Sequence, residues 1–209
     1  MYPKSKVLII AGSDSSGGAG IQADIKTVTS LGSYAMTAVT AVTAQNTMGV
    51  KQITPIPTKN VQKQITMILN DIGSDAVKIG MLQNVSIIKC VYRILKKYNL
   101  KNIVLDPVMV AKGGTKLINN NSITYLKKLL LPLAKLITPN IPEAEVLIGG
   151  PISNKEDMIK AAKIILNMGS KNVLLKGGHL KSKMICDILA TKKGIKVFSK
   201  RKIKTKNTH

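Results

Sequence analysis

Arginine is nearly absent from this 209-residue chain. Of its 32 lysine and arginine residues only Arg93 and Arg201 are arginine. Base reading and phosphate clamping favour the bidentate guanidinium. A net charge of +22 would draw in polyanions, but a charge built almost wholly from single, scattered lysines reads as a solvated surface. Lysine is abundant together with asparagine and isoleucine, as in proteins encoded by AT-rich DNA, and a nucleic-acid partner is set aside. One dense run, Lys200 to Lys206, reads as a basic tail in preference to a strand facing a substrate.

Other scarcities exclude further classes. Tryptophan is missing and aromatics make up 3% of residues, so packing must rest on Ile, Leu, Val and Ala. There are two cysteines, Cys90 and Cys186. They lie too far apart for a metal-ligand pair, and each sits in an apolar stretch where a buried free thiol is the usual outcome. That usage suits a reducing compartment. No segment reaches the ~18 uninterrupted apolar residues of a membrane span, and VLIIAG near the start is too short for a signal sequence. A cytosolic protein is expected, with no membrane partner.

What is present is a globular composition, 44% apolar with 16 glycines. The length suits one domain, given the usual ~100–200 residues. Short β-rich runs alternate with longer helical patterns, the sequence form of repeated βαβ units and a mostly parallel sheet. Strands are expected at Lys6 to Ile10, Tyr34 to Ala44, Ala76 to Ile79, Ile103 to Leu105, Leu136 to Thr138 and Val173 to Leu175. Helices are expected at Gly18 to Leu31, Val61 to Ile72, Val85 to Leu95, Ser122 to Leu130, Ala144 to Gly149 and Lys155 to Met168. Met184 to Ala190 and Ile195 to Lys200 read as a hairpin, and Gly12 to Gly18 as a loop.

In open α/β sheets ligands bind beyond the carboxyl ends of the strands, and the segments there are polar and rich in glycine. The first, AGSDSSGGAG, leads into a GxGxxA match at Gly18 to Ala23. Its first glycine does not end the strand, and no acid occurs between Asp24 and Asp71 to take a ribose, so a dinucleotide site is not supported. A Walker loop fails too, because no Lys-Ser/Thr follows the glycines. Among the ten acidic residues, Asp14 and Asp24 flank the glycine loop, Asp106 ends a strand, and Glu143 follows Asn140 by three. Carboxylates at strand ends can hold Mg²⁺ with phosphate oxygens. Asp24 reads equally as a helix-surface residue, and Glu143 as a helix-start acid facing the dipole. Asp71, Asp75, Glu156, Asp157 and Asp187 have no motif around them and read as surface or capping residues.

Taken together, AGSDSSGGAGIQADIKT at 11–27, AVTAQNT at 41–47, AVKIGML at 76–82, VLDPVMVAKGG at 104–114, TPNIPEAE at 138–145, LLKGGH at 174–179 and NTH at 207–209 resemble the hydroxymethylpyrimidine and phosphomethylpyrimidine kinases of thiamin biosynthesis. These belong to the ribokinase-like superfamily. The resemblance implies a three-layer αβα fold around a mostly parallel sheet and ATP-dependent phosphorylation of 4-amino-5-hydroxymethyl-2-methylpyrimidine and its monophosphate. It also implies ATP and Mg²⁺ as cofactors, a homodimer, and a small-molecule pyrimidine as the partner. By position it places Gln45 on the aminopyrimidine edge, with Asp24, Gly12, Met81 and Val108 around the ring. Asn140, Glu143, Lys176 and Asp106 fall to the nucleotide, with Glu143 and Asp106 near Mg²⁺.

The family pattern continues past its NTH strand with a Gly-Thr-Gly-Cys segment that forms an anion hole, whereas residue 209 is the last here. The resemblance therefore implies one kinase domain, 1–209, incomplete at its C-terminus, without the helices that follow and with no catalytic residue retained. Two alternatives stand beside it: a pyridoxal kinase of the same superfamily, and an inactive remnant.

Overall fold

The computed structural model describes residues 2–109, 118–180 and 184–203. Among these residues nine strands form one sheet: β1 (Lys6–Asp14), β2 (Tyr34–Asn46), β3 (Gly49–Pro55), β4 (Ala76–Ile79), β5 (Ile103–Leu105), β6 (Leu136–Ile137), β7 (Asn172–Leu175), β8 (Met184–Thr191) and β9 (Gly194–Arg201). Their order is β3-β2-β1-β4-β5-β6-β7-β8-β9. From β2 across to β7 neighbouring strands run parallel. β3, β8 and β9 are antiparallel additions at the two edges.

Six α-helices among the described residues connect the strands: α1 (Gly20–Ser30), α2 (Thr58–Asp71), α3 (Val85–Lys97), α4 (Asn120–Tyr125), α5 (Ile141–Ile148) and α6 (Lys155–Asn167). Asparagine starts four of them. Asn84, Asn119, Asn140 and Asn154 cap α3 to α6, each side chain accepting a backbone N–H of the first turn, which satisfies a donor that the helix itself cannot pair.

The two faces of the sheet are unequally covered. Leu8 and Ile10 of β1, Val77 and Ile79 of β4, Ile103 and Leu105 of β5, and Val173 and Leu175 of β7 point into the main core, with α2 to α6 supplying its other side. The alternate residues of β1, Ile9 and Ala11, meet only Ile21 of α1 and partly buried neighbours. Side chains alternate across a strand, so one face carries a deep aliphatic core and the other a thin one.

Most expected elements are present, and the departures have physical causes. β1 runs on to Asp14, so Gly12 and Asp14 lie in a strand and not in a loop; its register with β2 shifts between Ala11 and Ser13. β3 was not expected: its residues are half-buried or exposed, and an edge strand lacks the alternating apolar signal. α5 starts at Ile141, three residues early, because Asn140 caps it. The helix expected to end at Leu130 changes pitch, with α4 giving way to a π turn over Leu126–Leu130 and a 3-10 turn over Leu131–Leu133. Pro132, which has no N–H, stands at that point. Cys90 is buried as expected, but Cys186 is half-exposed near the outer end of β8, its Sγ 3.3 Å from Ser199 Oγ. Lys200 and Arg201 close β9 and are strand residues, not a tail, while 204–206 and the NTH at 207–209 lie outside the described residues, as do 110–114 of the fourth motif.

The central core sets a stability prediction. Leu105 is fully buried, and Leu105→Ala should cost about 2–5 kcal/mol in urea unfolding. Leu31, which is 64% exposed, should tolerate alanine with a change under about 0.5 kcal/mol.

Candidate active site

Because the central strands are parallel, their carboxyl ends all open on one side, and a cleft of about 1440 Å³ lies there. Gly12, Asp24, Gln45, Met81, Val108, Asp106, Asn140, Glu143 and Lys176 all border it. Residues spread from position 12 to position 176 are thus brought to one cavity by strand direction and by the helices that follow the strands.

At the β1–β2 end the cleft is apolar below and polar above. Met81 packs with Ala41, Ile53 and Val108, and its carbonyl is fixed by Thr40 Oγ1 at 2.7 Å. The Met81 methyl occupies the space that a side chain at position 12 would fill. Gln45 is half-buried, and its Oε1 accepts from Thr43 Oγ1 at 3.2 Å. Asp24, on α1, is paired through Oδ2 with Lys78 Nζ of β4 at 2.6 Å. The pair is mostly shielded from solvent and fixes where the carboxylate sits. The AVKIGML motif gave Lys78 no role of its own, although a lysine inside a short, otherwise buried strand is a readable signal.

The glycine loop is organised by Asp14. This buried carboxylate accepts from Ser16 Oγ and from the backbone N–H groups of Ser16, Gly18 and Ala19 at 2.8–3.1 Å. Burial pushes its pKa up, and the hydrogen bonds from Ser16, Ala19 and Gly18 outweigh that, holding it below the ordinary value. Gln22 ties the loop to the strand, accepting from Asp14 N–H and donating to Ser13 Oγ. Gly20 then has to be glycine. Its φ is +56°, and a Cβ there would stand 2.4 Å from the Gly12 carbonyl oxygen.

The other end of the cleft gathers charge. Asn140 and Glu143 form a capping box: Asn140 N–H donates to Glu143 Oε2 at 2.8 Å and Glu143 N–H to Asn140 Oδ1 at 2.9 Å. The helix-start reading of Glu143 is therefore realised in the geometry. Asp106 Oδ1 accepts from Thr138 Oγ1 at 2.9 Å and from Lys176 Nζ at 3.2 Å. Glu143 is buried, and its pKa is raised to about 7, first by burial and further by the Asp106 carboxylate, against the lowering pull of the Asn140 and Met109 N–H groups and of Lys176. Two carboxylates that repel one another beside a lysine suit a hard divalent cation bound with phosphate oxygens. Among the described residues no three His, Cys, Asp or Glu side chains cluster as a self-sufficient metal cage, so water and ligand oxygens would have to complete the shell. Asp187, read from sequence as a surface or capping residue, also borders the cleft.

A mostly parallel sheet with its cleft at the strand ends, apolar at one end and charged at the other, defines the class: a small-molecule kinase of the ribokinase-like fold. Within that class the chain belongs to the phosphomethylpyrimidine kinase family, whose model matches residues 14–209. It is 49% identical over 208 residues to a thiamine biosynthesis bifunctional protein ThiED of Geobacter sulfurreducens, covering all of this chain and 42% of that one. A crystal structure of phosphomethylpyrimidine kinase from Clostridium difficile 630 superposes with a TM-score of 0.86 at 49% identity, covering 93% of this chain and 84% of that one. An ADP complex of Bacillus subtilis pyridoxal kinase superposes with a TM-score of 0.90 at 41% identity, covering 98% and 78%. The chain thus spans well under half of the bifunctional relative and roughly four-fifths of the two solved kinases.

The electrostatics predict a pH dependence. Glu143 binds its proton more tightly folded than unfolded, so its contribution to stability is full below the ordinary carboxyl value of 4.5 and is lost as pH rises through about 7. Denaturation midpoints across this window should fall more with rising pH in the wild type than in Glu143→Gln. Parallel curves would show that Glu143 does not titrate there.

Proposed function

We propose that this chain carries out ATP-dependent phosphorylation of 4-amino-5-hydroxymethyl-2-methylpyrimidine and of its monophosphate. The observation that carries the reading is that one cleft joins the polar and apolar set at Gln45, Asp24, Gly12, Met81 and Val108 to the charged set at Asn140, Glu143, Lys176 and Asp106. Family membership over residues 14–209 supports it.

In this reading the pyrimidine lies on Met81 and Val108. The Gln45 amide, which has both donor and acceptor, reads the aminopyrimidine edge, and Asp24, pinned by Lys78, meets the ring's amino group. Gly12 leaves room for the Met81 methyl on which the ring lies. That seating directs the hydroxymethyl oxygen toward the charged end, where Lys176 offsets the negative charge of the phosphates. Asn140 lies at the start of α5, whose dipole favours anions. Phosphoryl transfer of this kind depends on positioning and charge neutralisation more than on covalent help. Glu143 and Asp106 are the carboxylates placed to hold Mg²⁺, directly or through water, and the ion would draw charge from the phosphate oxygens. Glu143 must be ionised for that, so nucleotide use should strengthen as pH rises through about 7.

The same reading places the protein in the cytoplasm as a homodimer. Val42 on β2 and Met48 in the β2–β3 turn are exposed apolar residues at that sheet edge, which a second copy would cover. The likeness to a pyridoxal kinase structure keeps that vitamin as the rival substrate.

The test is an assay of the purified chain with ATP and Mg²⁺ on hydroxymethylpyrimidine and on pyridoxal. Faster transfer to the pyrimidine is expected, and a strong pyridoxal preference would replace the reading. Gln45→Ala should weaken pyrimidine binding about tenfold, ~1.4 kcal/mol, with nucleotide binding unchanged. Calorimetry giving an unchanged pyrimidine affinity would remove Gln45 from the site.

A further inference from the structure

Asp187 is the only acidic residue in the sequence after Asp157. It stands on the cleft wall formed by the β8–β9 hairpin, opposite Phe198, and Lys200, Arg201 and Lys202 border the same cleft. A solvated surface acid would have no fixed partner. Asp187 has one, since its Oδ1 accepts from the Gly177 N–H at 2.9 Å.

The position of that bond in the fold gives it meaning. The β7–β8 ladder ends where Leu175 pairs with Ile188. Past that point the carboxylate of Asp187 takes over and captures the next free N–H of the departing chain. Gly177 lies so close to β8 that a Cβ would sit 2.0 Å from the Cys186 carbonyl oxygen and 3.0 Å from the Met158 methyl. No side chain fits between the turn and the strand. On the other side Lys176 N–H donates to the Pro139 carbonyl at 2.8 Å, continuing the sheet beside Asn140. The turn closes through Leu180 N–H to the Gly177 carbonyl.

Lys176 is thus gripped on both sides at its backbone, while its side chain, 44% exposed, reaches Asp106 at 3.2 Å. A lysine on a flexible four-carbon stem is a poor positioning device unless its Cα is fixed. We infer that Asp187 is a positioning residue which, by holding the Gly177 N–H, sets the Lys176 ammonium where the phosphates of a nucleoside triphosphate bind. This rests on the kinase reading of the cleft. Asp187 acts through Gly177 and need not touch the nucleotide.

The experiment compares wild type, Asp187→Asn and Asp187→Ala, each labelled with ¹⁵N-glycine. It measures Gly177 amide exchange together with calorimetric affinities for a non-hydrolysable ATP analogue with Mg²⁺ and for hydroxymethylpyrimidine. Asp187→Ala should speed Gly177 exchange and weaken the ATP analogue by about tenfold while leaving the pyrimidine within about twofold. Asp187→Asn keeps the accepting oxygen and should stay within about threefold of wild type for both ligands. Unchanged nucleotide affinity in Asp187→Ala overturns the inference. So does an equal loss for both ligands, or an asparagine variant as weak as the alanine one, which would point to charge and not to the hydrogen bond. Rapid Gly177 exchange in the wild type overturns it even if the alanine variant fails to fold. A wild type that binds no nucleotide fells the kinase reading and this inference together, whereas nucleotide binding untouched by Asp187→Ala fells the inference alone.

Discussion

The parallel run from β2 to β7 is the constraint from which the rest of the molecule follows. Parallel strands must be joined by crossovers, and those crossovers are the helices that cover the sheet. Each strand then leaves the sheet at the same edge, and the residue after each exit faces the same space. Asp106 after β5, Asn140 after β6 and Lys176 after β7 are neighbours for this reason, although far apart in sequence. The antiparallel hairpin β8–β9 extends the sheet sideways and becomes a wall of the cleft instead of another floor strand.

Charge is then distributed by scarcity. With ten acidic residues against 32 basic ones, a carboxylate facing the cleft stands out, and five do so with defined partners. Asp14 holds the glycine loop, Asp24 pairs with Lys78, Asp106 with Lys176, Glu143 closes a capping box, and Asp187 holds the Gly177 N–H. Three of these contacts build backbone and two aim side chains. Glu143 joins the two tasks, because the helix start that it completes is also the place where its carboxylate meets Asp106.

Much of this was legible in the sequence because central parallel strands are short, aliphatic and followed by distinctive loops. Ile103 to Leu105 with Asp106-Pro107 announces both strand and exit, and every residue assigned to the site from the family resemblance borders the cleft. What escaped was governed by distant or weak signals. β3 carries Lys51 and Gln52 on a partly exposed edge, so no periodicity marked it. Gly12 to Asp14 looked like loop because glycine and serine are poor strand formers, yet β1 is held there by β2 beyond a register shift. Lys78 and Asp187 depend on partners 54 and 10 residues away, which no local pattern displays.

The unequal covering of the sheet has a consequence for how the molecule breathes. α1 has no side-chain cap, no acid in its first turn and no base in its last, and Ile21 alone among its residues is buried. Segments with few buried apolar contacts open at free energies well below that of global unfolding. The helix that presents Asp24, and the glycine loop that leads into it, therefore belong to the sub-global opening unit of lowest cost on that face. A ligand that bridges Asp24 to the floor at Met81 would join this unit to the cooperative core, and binding would be felt as much in the protection of α1 amides as in the melting of the whole chain.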